Sequence, residues 1–85
     1  MDSQTATTRL EQKGIRPTAN RILVLKTLAG EHRPVSLSDL ERQLLSMDKS
    51  SIFRVLTLFL EQEVVHSFED GRGVLNYELC NSEGH

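Results

Sequence analysis

Residues 49–62 read KSSIFRVLTLFLEQ and carry the clearest periodic pattern in the chain. The apolar residues recur at intervals of three and four, as they do on one face of an amphipathic helix. That face consists of Ile52, Val55, Leu56, Phe59 and Leu60. The opposite face is polar and includes Arg54 and Glu61. The segment is therefore predicted to be a helix that buries its apolar stripe.

Three shorter helices are predicted upstream. The first covers roughly residues 7–12, the second residues 18–28, and the third begins at residue 36 and ends near Ser46 or Met47. Thr18 is a good N-cap for the second helix, and Gly30 ends it. Ser36 and Asp39 have the spacing of a capping box at the start of the third. Asp48 can cap the helix of residues 49–62. The residues before position 7 are polar and show no period, so we expect a frayed start.

The period changes to two after Glu63. Residues 64–69 and 74–79 have strand character, and the Asp-Gly-Arg-Gly sequence of residues 70–73 between them is a strong turn signal. Leu75, Tyr77 and Leu79 form one apolar face. An isolated hairpin is marginal in water, so this face is expected to pack on the helices. The order of elements predicts a mainly α fold with a β-hairpin, the winged helix-turn-helix.

The chain has only 85 residues, so it forms at most one small domain with a thin core. No apolar run is long enough to span a bilayer, and the first fifteen residues lack a secretory signal pattern. The single cysteine, Cys80, cannot form an internal disulfide, which fits a reducing compartment. We therefore expect a cytoplasmic protein.

Catalytic signatures are not found. The sequence has no Gly-rich phosphate loop, no Cys-x-x-Cys and no His-Glu-x-x-His motif, and its three histidines are far apart. The chain is predicted to be a binding protein and not an enzyme.

DNA binding requires a helix whose exposed N-terminal side chains reach base edges and phosphates. The start of the 49–62 helix offers Lys49, Ser50, Ser51 and Arg54. Phe53 lies off the buried stripe at the same end. It can contact thymine methyl groups, or it can form the flank of the core.

Three more basic residues lie where a winged helix meets DNA: Arg16 in a loop, Arg21 at a helix start and Arg72 at the wing tip. They make a polarised surface compatible with the net charge of −2. Glu69 and Asp70 should weaken wing contacts with phosphate.

A winged helix used for protein–protein contact is the alternative function. Leu58 points away from the apolar stripe and could serve such a surface, and the acidic net charge agrees. Salt dependence separates the two functions, because only phosphate neutralisation gives affinity that falls steeply with salt.

Four motifs in order resemble the ferric uptake regulator family, over Leu10 to Leu79. They are GIRPTANR at residues 14–21, SLSDL at 36–40, SSIFRVL at 50–56, and the pair GRG at 71–73 and YEL at 77–79. The resemblance implies a winged-helix DNA-binding domain over residues 1–80.

The resemblance also implies roles for individual residues. The Tyr-Arg pair of the family's recognition helix falls on Phe53 and Arg54, so the tyrosine hydroxyl is missing here. The family's basic residue that enters a minor groove falls on Arg16, and the later arginine on Arg21. The implied protein is a metal-responsive bacterial repressor that binds a palindromic double-stranded operator as a dimer.

Family members continue into a C-terminal domain that dimerises and binds regulatory metal. The resemblance thus makes residues 81–85 a hinge toward such a domain, absent from this chain, and implies Fe²⁺ or Zn²⁺ as the metal of the whole protein. Glu78 and His85 partly match a hinge metal site of the family, and His32 lies about two residues from the position of the third ligand. We expect this chain alone to bind metal weakly.

Overall fold

The computed structural model of the chain describes residues 1–80. Within this range the elements are, in order, α1 (Ser3–Gln12), α2 (Ala19–Ala29), β1 (Val35–Ser36), α3 (Leu37–Gln43), α4 (Lys49–Glu61), β2 (Val65–Glu69) and β3 (Leu75–Leu79). Four helices and an antiparallel sheet form a winged helix, so the predicted fold class is confirmed. None of the helices in these 80 residues is long and apolar enough to cross a membrane.

Helix α4 is the centre of the core. Ile52, Leu56 and Phe59 are completely buried and Val55 nearly so, as the apolar stripe predicts. The Asp48 carboxylate caps the helix by accepting a hydrogen bond of 2.8 Å from the Ser51 amide. Leu60 was predicted to be buried but is only half-buried, because it packs against the edge of the core.

Helix α1 begins earlier than predicted. It starts at Ser3, because Asp2 is an N-cap whose carboxylate accepts a 2.8 Å hydrogen bond from the Thr5 amide. Ala6 and Leu10, four residues apart, are its buried side chains. Two apolar positions are too few to give a visible period, so the prediction of a frayed start was wrong.

The sheet has a third strand that was not predicted from the sequence. The order is β1-β3-β2, with Val35 opposite Tyr77 and Ser36 opposite Asn76. Two residues are too short for an alternating pattern. Ser36 also caps α3, and its capping box with Asp39 forms as predicted.

Helix α3 is shorter than predicted. It ends at Gln43, because Leu44 has left helical geometry, with φ −107° and ψ 66°. Leu44 nevertheless remains buried in the core. The apolar stripe predicted the burial of this residue but not its backbone conformation.

Strands β2 and β3 form the wing. Tyr77 and Val65 are buried against the helices and Leu79 is partly buried. Leu75 is 41% exposed, as are Phe68 and Val74 to a similar degree. The prediction that Leu75 packs on the helices was wrong, because the wing tip extends beyond them.

Candidate nucleic-acid interface

The start of α4 presents polar, basic and aromatic side chains to solvent. Lys49, Ser50 and Arg54 are exposed, and Phe53 has half of its surface exposed. Ser51 is half-buried, and its amide is held by Asp48. Phe53 is therefore a surface residue at this end of the helix and not a part of the core.

The same end of α4 also carries a negative charge. Hydrogen bonds from the Ser51 hydroxyl and amide hold the pKa of the Asp48 carboxyl below its ordinary value, and the positive charge of Arg54 contributes. Asp48 therefore stays ionised and fixes the first turn. An anion that approaches this end must be attracted by Lys49 and Arg54 more strongly than Asp48 repels it.

The loop between α1 and α2 presents Arg16. Gly14, with φ +74°, reverses the chain after α1, and Ile15 is buried. Arg16 follows this anchored residue and is exposed. The Arg21 side chain donates from Nη1 to the Arg16 carbonyl oxygen at 3.1 Å. Arg16 and Arg21 were predicted as separate contact residues, but this hydrogen bond connects them.

The wing turn holds Arg72 in an exposed position. The Asp70 carboxylate accepts hydrogen bonds from the amides of Arg72, at 2.8 Å, and Val74, at 3.0 Å. The Arg72 amide is the first cause, and the Val74 amide the second, of a pKa for Asp70 below its ordinary value. The carboxylate that should weaken phosphate contacts is therefore the group that orders this turn.

The predicted metal ligands are only partly together. His32 and Glu78 line the same small cavity of about 120 Å³, whereas His85 lies outside the described residues. Oε1 of Glu78 lies 2.9 Å from Nε2 of His66, whose Nδ1 is 3.6 Å from the Cys80 sulfur. The cross-strand pair of His66 with Glu78 was not predicted from the sequence, although the two residues share a register position.

A metal ion can bind to these residues only if enough of their side chains lie close together. Within residues 1–80 no three His, Cys, Asp or Glu side chains are grouped closely enough to hold an ion. Zinc sites in proteins have three or four protein ligands. The described residues therefore do not make a metal site by themselves.

The four helices and the three-stranded sheet define a winged helix as the class of this fold. Neither a protein-family model nor a curated protein matches the sequence, but solved structures do. The ferric uptake regulator from Pseudomonas aeruginosa with manganese has a TM-score of 0.82 and 26% identity, over 94% of this chain and 63% of that chain. The ferric uptake regulator of Vibrio cholerae has a TM-score of 0.79 and 20% identity, over 93% and 63%.

A third similar structure is PerR from Streptococcus pyogenes, described for peroxide sensing and gene regulation, with a TM-score of 0.77 and 16% identity over 91% of this chain and 56% of that one. The chain thus spans less than two thirds of the length of these proteins. It matches the N-terminal DNA-binding domain of the ferric uptake regulators, and the resemblance seen in the sequence motifs is confirmed.

Proposed function

We propose that this chain is the sequence-specific DNA-binding part of a metal-responsive transcriptional repressor. The observation that carries the proposal is the pair Phe53 and Arg54 at the start of α4. Phe53 has 50% of its surface exposed, and the exposed Arg54 follows it directly. Ile52, Leu56 and Phe59 on the other face of the same helix are completely buried, so the core fixes the orientation of this pair.

The chemistry of the pair suits the major groove of DNA. An arginine can donate two hydrogen bonds to O6 and N7 of guanine, and an apolar ring can contact a thymine methyl group. Lys49 and Ser50, one turn earlier, can bind phosphates. Helix α4 is thus the recognition helix of a helix-turn-helix, with α3 as the helix that crosses the backbone.

Two other basic elements extend this interface in the proposal. Arg16 enters the minor groove beside the recognised bases, where a narrow A/T-rich groove attracts a guanidinium group. Arg72 meets phosphate from the wing tip. The whole protein binds a palindromic operator as a homodimer through a further domain, and Fe²⁺ or Zn²⁺ controls that protein.

Protein–protein contact is the alternative function, and Leu58 was its main candidate residue. Leu58 is partly buried and packs against the core, so it offers little free apolar surface. The basic residues around α4, the loop and the wing also favour a polyanion. Affinity for duplex DNA that falls steeply with salt supports the proposal, and affinity for a protein that is insensitive to salt supports the alternative.

The test of the proposal begins with the selection of duplexes from a random library by the wild-type chain. Arg54→Ala is expected to weaken binding to the selected duplex by roughly 1–3 kcal/mol and to relax preference at one position. Glu61→Gln, at the other end of α4, is the control and should cause no loss. If Arg54→Ala binds every duplex as the wild type does, α4 is not the recognition helix.

A further inference from the structure

We propose that the DNA interface extends into a groove between α3 and the wing turn, where Arg33 and Arg42 join Arg72 in binding the phosphodiester backbone of duplex DNA. The inference rests on the proposed function and deepens it. Arg33 and Arg42 were not among the predicted site residues. The groove encloses about 420 Å³ and is lined by all three arginines.

Three separate segments bring these arginines together. Arg33 precedes β1, Arg42 is in the last turn of α3, and Arg72 is in the wing turn. The pairing of β1 with β3 is the physical reason for their proximity. This pairing places Ser36, the cap of α3, opposite Asn76. The side-chain amide of Asn76 in turn donates a hydrogen bond of 3.3 Å to the Asp70 carboxylate in the wing turn.

The acidic residues of the groove are already engaged. Asp39 accepts hydrogen bonds from the Ser36 amide and from the Arg42 guanidinium. Asp70 accepts from the amides of the wing turn, as described above. Arg33 interacts electrostatically with Asp39, and Arg72 with Asp70. In residues 1–80, however, neither guanidinium group forms a hydrogen bond with another side chain. Their donors, and the exposed part of Arg42, are therefore available to an added anion.

A nucleic-acid backbone is the anion that fits this arrangement. Guanidinium groups bind phosphate oxygens in pairs of hydrogen bonds. The first helix of a helix-turn-helix crosses the backbone, and here that helix is α3, which forms one wall of the groove. The exposed Ser38 hydroxyl lines the same wall and adds a further donor. Such contacts with phosphate increase the affinity for DNA through charge, but they do not distinguish one base sequence from another.

The test is a salt titration of binding to a fluorescent duplex of roughly three helical turns. The double variant R33Q/R42Q is expected to lower the slope of log affinity against log salt concentration by about 0.9 for each phosphate that it no longer neutralises. The loss of affinity should be equal for a selected duplex and for one of random sequence. The charge-conserving variant R33K/R42K should keep most of the slope.

The matched control is K13Q/K26Q, which removes two positive charges from the α1 and α2 side of the molecule. Thermal unfolding of each variant verifies that the fold is retained. The proposal that the groove binds phosphate is overturned if R33Q/R42Q leaves the slope of log affinity against log salt concentration unchanged. It is also overturned if K13Q/K26Q lowers that slope by the same amount. A wild-type chain that binds duplexes and loses affinity through Arg54→Ala, but not through R33Q/R42Q, overturns the groove alone. A wild-type chain that binds no duplex overturns the proposed function as well.

Discussion

Nη1 of Arg21 donates a hydrogen bond of 3.1 Å to the carbonyl oxygen of Arg16. Arg21 lies in the first turn of α2, where its amide donates to the Thr18 hydroxyl, the cap of that helix. The rigid start of α2 therefore holds the short connection that exposes Arg16. Arg21 is itself predicted from the sequence to contact DNA, and the hydrogen bond adds a role for Arg21 in positioning Arg16.

The first prediction is that Arg16 and Arg21 act together. Arg21→Ala should weaken DNA binding, and the same change should cost less when Arg16 is already alanine. Residues in contact give coupling energies of about 0.5 kcal/mol or more in such double-mutant cycles. The measurement is the affinity of the wild type, both single variants and the double variant for one selected duplex. Additive losses would show that Arg21 does not position Arg16.

Helix α1 ends in a Schellman motif, which two backbone hydrogen bonds define. The Ile15 amide donates to the Leu10 carbonyl at 2.9 Å, and the Gly14 amide donates to the Glu11 carbonyl at 3.0 Å. The motif requires a left-handed residue, and Gly14 fills that position with φ +74°. Glycine is the residue that adopts this conformation without strain.

Helix α4 ends in the same motif with a glutamate in the left-handed position. The Val64 amide donates to the Phe59 carbonyl at 2.8 Å, and the Glu63 amide donates to the Leu60 carbonyl at 3.2 Å. Glu63 has φ +61°, which costs a residue with a Cβ atom roughly 1–2 kcal/mol. Glu63 is the one residue other than glycine with positive φ among residues 1–80.

The second prediction follows from this difference. Glu63→Gly should raise the free energy of unfolding by about 1 kcal/mol, which raises the melting temperature of a domain of this size by roughly 4–8 °C. Glu63→Ala removes the same carboxylate but keeps the strained backbone, so it should bring no comparable gain. Gly14→Ala should be destabilising. The melting temperatures of the three variants, measured by calorimetry, test this prediction. A Glu63→Gly protein that melts below the wild type would contradict the proposed backbone strain at Glu63.

Much of the fold could be predicted from short sequence patterns, because local chemistry determines it. Asp48 and Ser36 were identified as caps since each lies directly before an apolar stripe. Strand β1 could not be predicted, because two residues carry no period and the strand exists only through pairing with β3. The exposure of Leu75 also depends on tertiary structure, since it follows from how far the wing extends past the helices.

The candidate site divides in the same way. Arg54 could be predicted as an exposed residue from one helix, because a helical period separates the buried face from the exposed face. The same period left Phe53 open between a DNA contact and a flank of the core. The groove of Arg33, Arg42 and Arg72 could not, since its members are far apart in sequence and meet through strand pairing. Arg42 lies three positions after Asp39, a spacing that gives an ion pair on a helix but no indication of a groove.

The third prediction concerns metal. Calorimetric titration of the 85-residue chain with Zn²⁺ should give a dissociation constant weaker than micromolar, because the described donors do not form a three-ligand site. The carboxylate of Glu78 is moreover held by His66 at 2.9 Å. Glu78→Gln and His32→Ala should therefore change the titration little. Nanomolar affinity that either variant abolishes would contradict this.

The last prediction is a loss of stability in acid, which starts from the aspartates that cap and order the chain. Asp48 has a lowered pKa because the Ser51 hydroxyl and amide donate to it. The pKa of Asp39 is lowered chiefly by the Ser36 amide, and that of Asp70 chiefly by the Arg72 amide. In the unfolded chain these carboxyls return to their ordinary value of 3.8.

The sign of the effect follows from the number of bound protons. Between the lowered pKa of the folded state and 3.8, the unfolded chain binds more protons than the folded chain, so stability increases with pH there. The contribution of each aspartate is complete well above 3.8 and is lost as the pH falls through 3.8 toward its folded pKa. Urea unfolding at about pH 6 and about pH 3 should show this loss of stability.

Asp48→Asn retains an oxygen that can cap α4 but does not titrate, so the stability of this variant should be less sensitive to acid than that of the wild type. Glu61→Gln, which removes a carboxylate that caps no helix, is the matched control and should lose stability as the wild type does. If Asp48→Asn and Glu61→Gln show the same dependence on pH, the Asp48 cap does not contribute to the acid response.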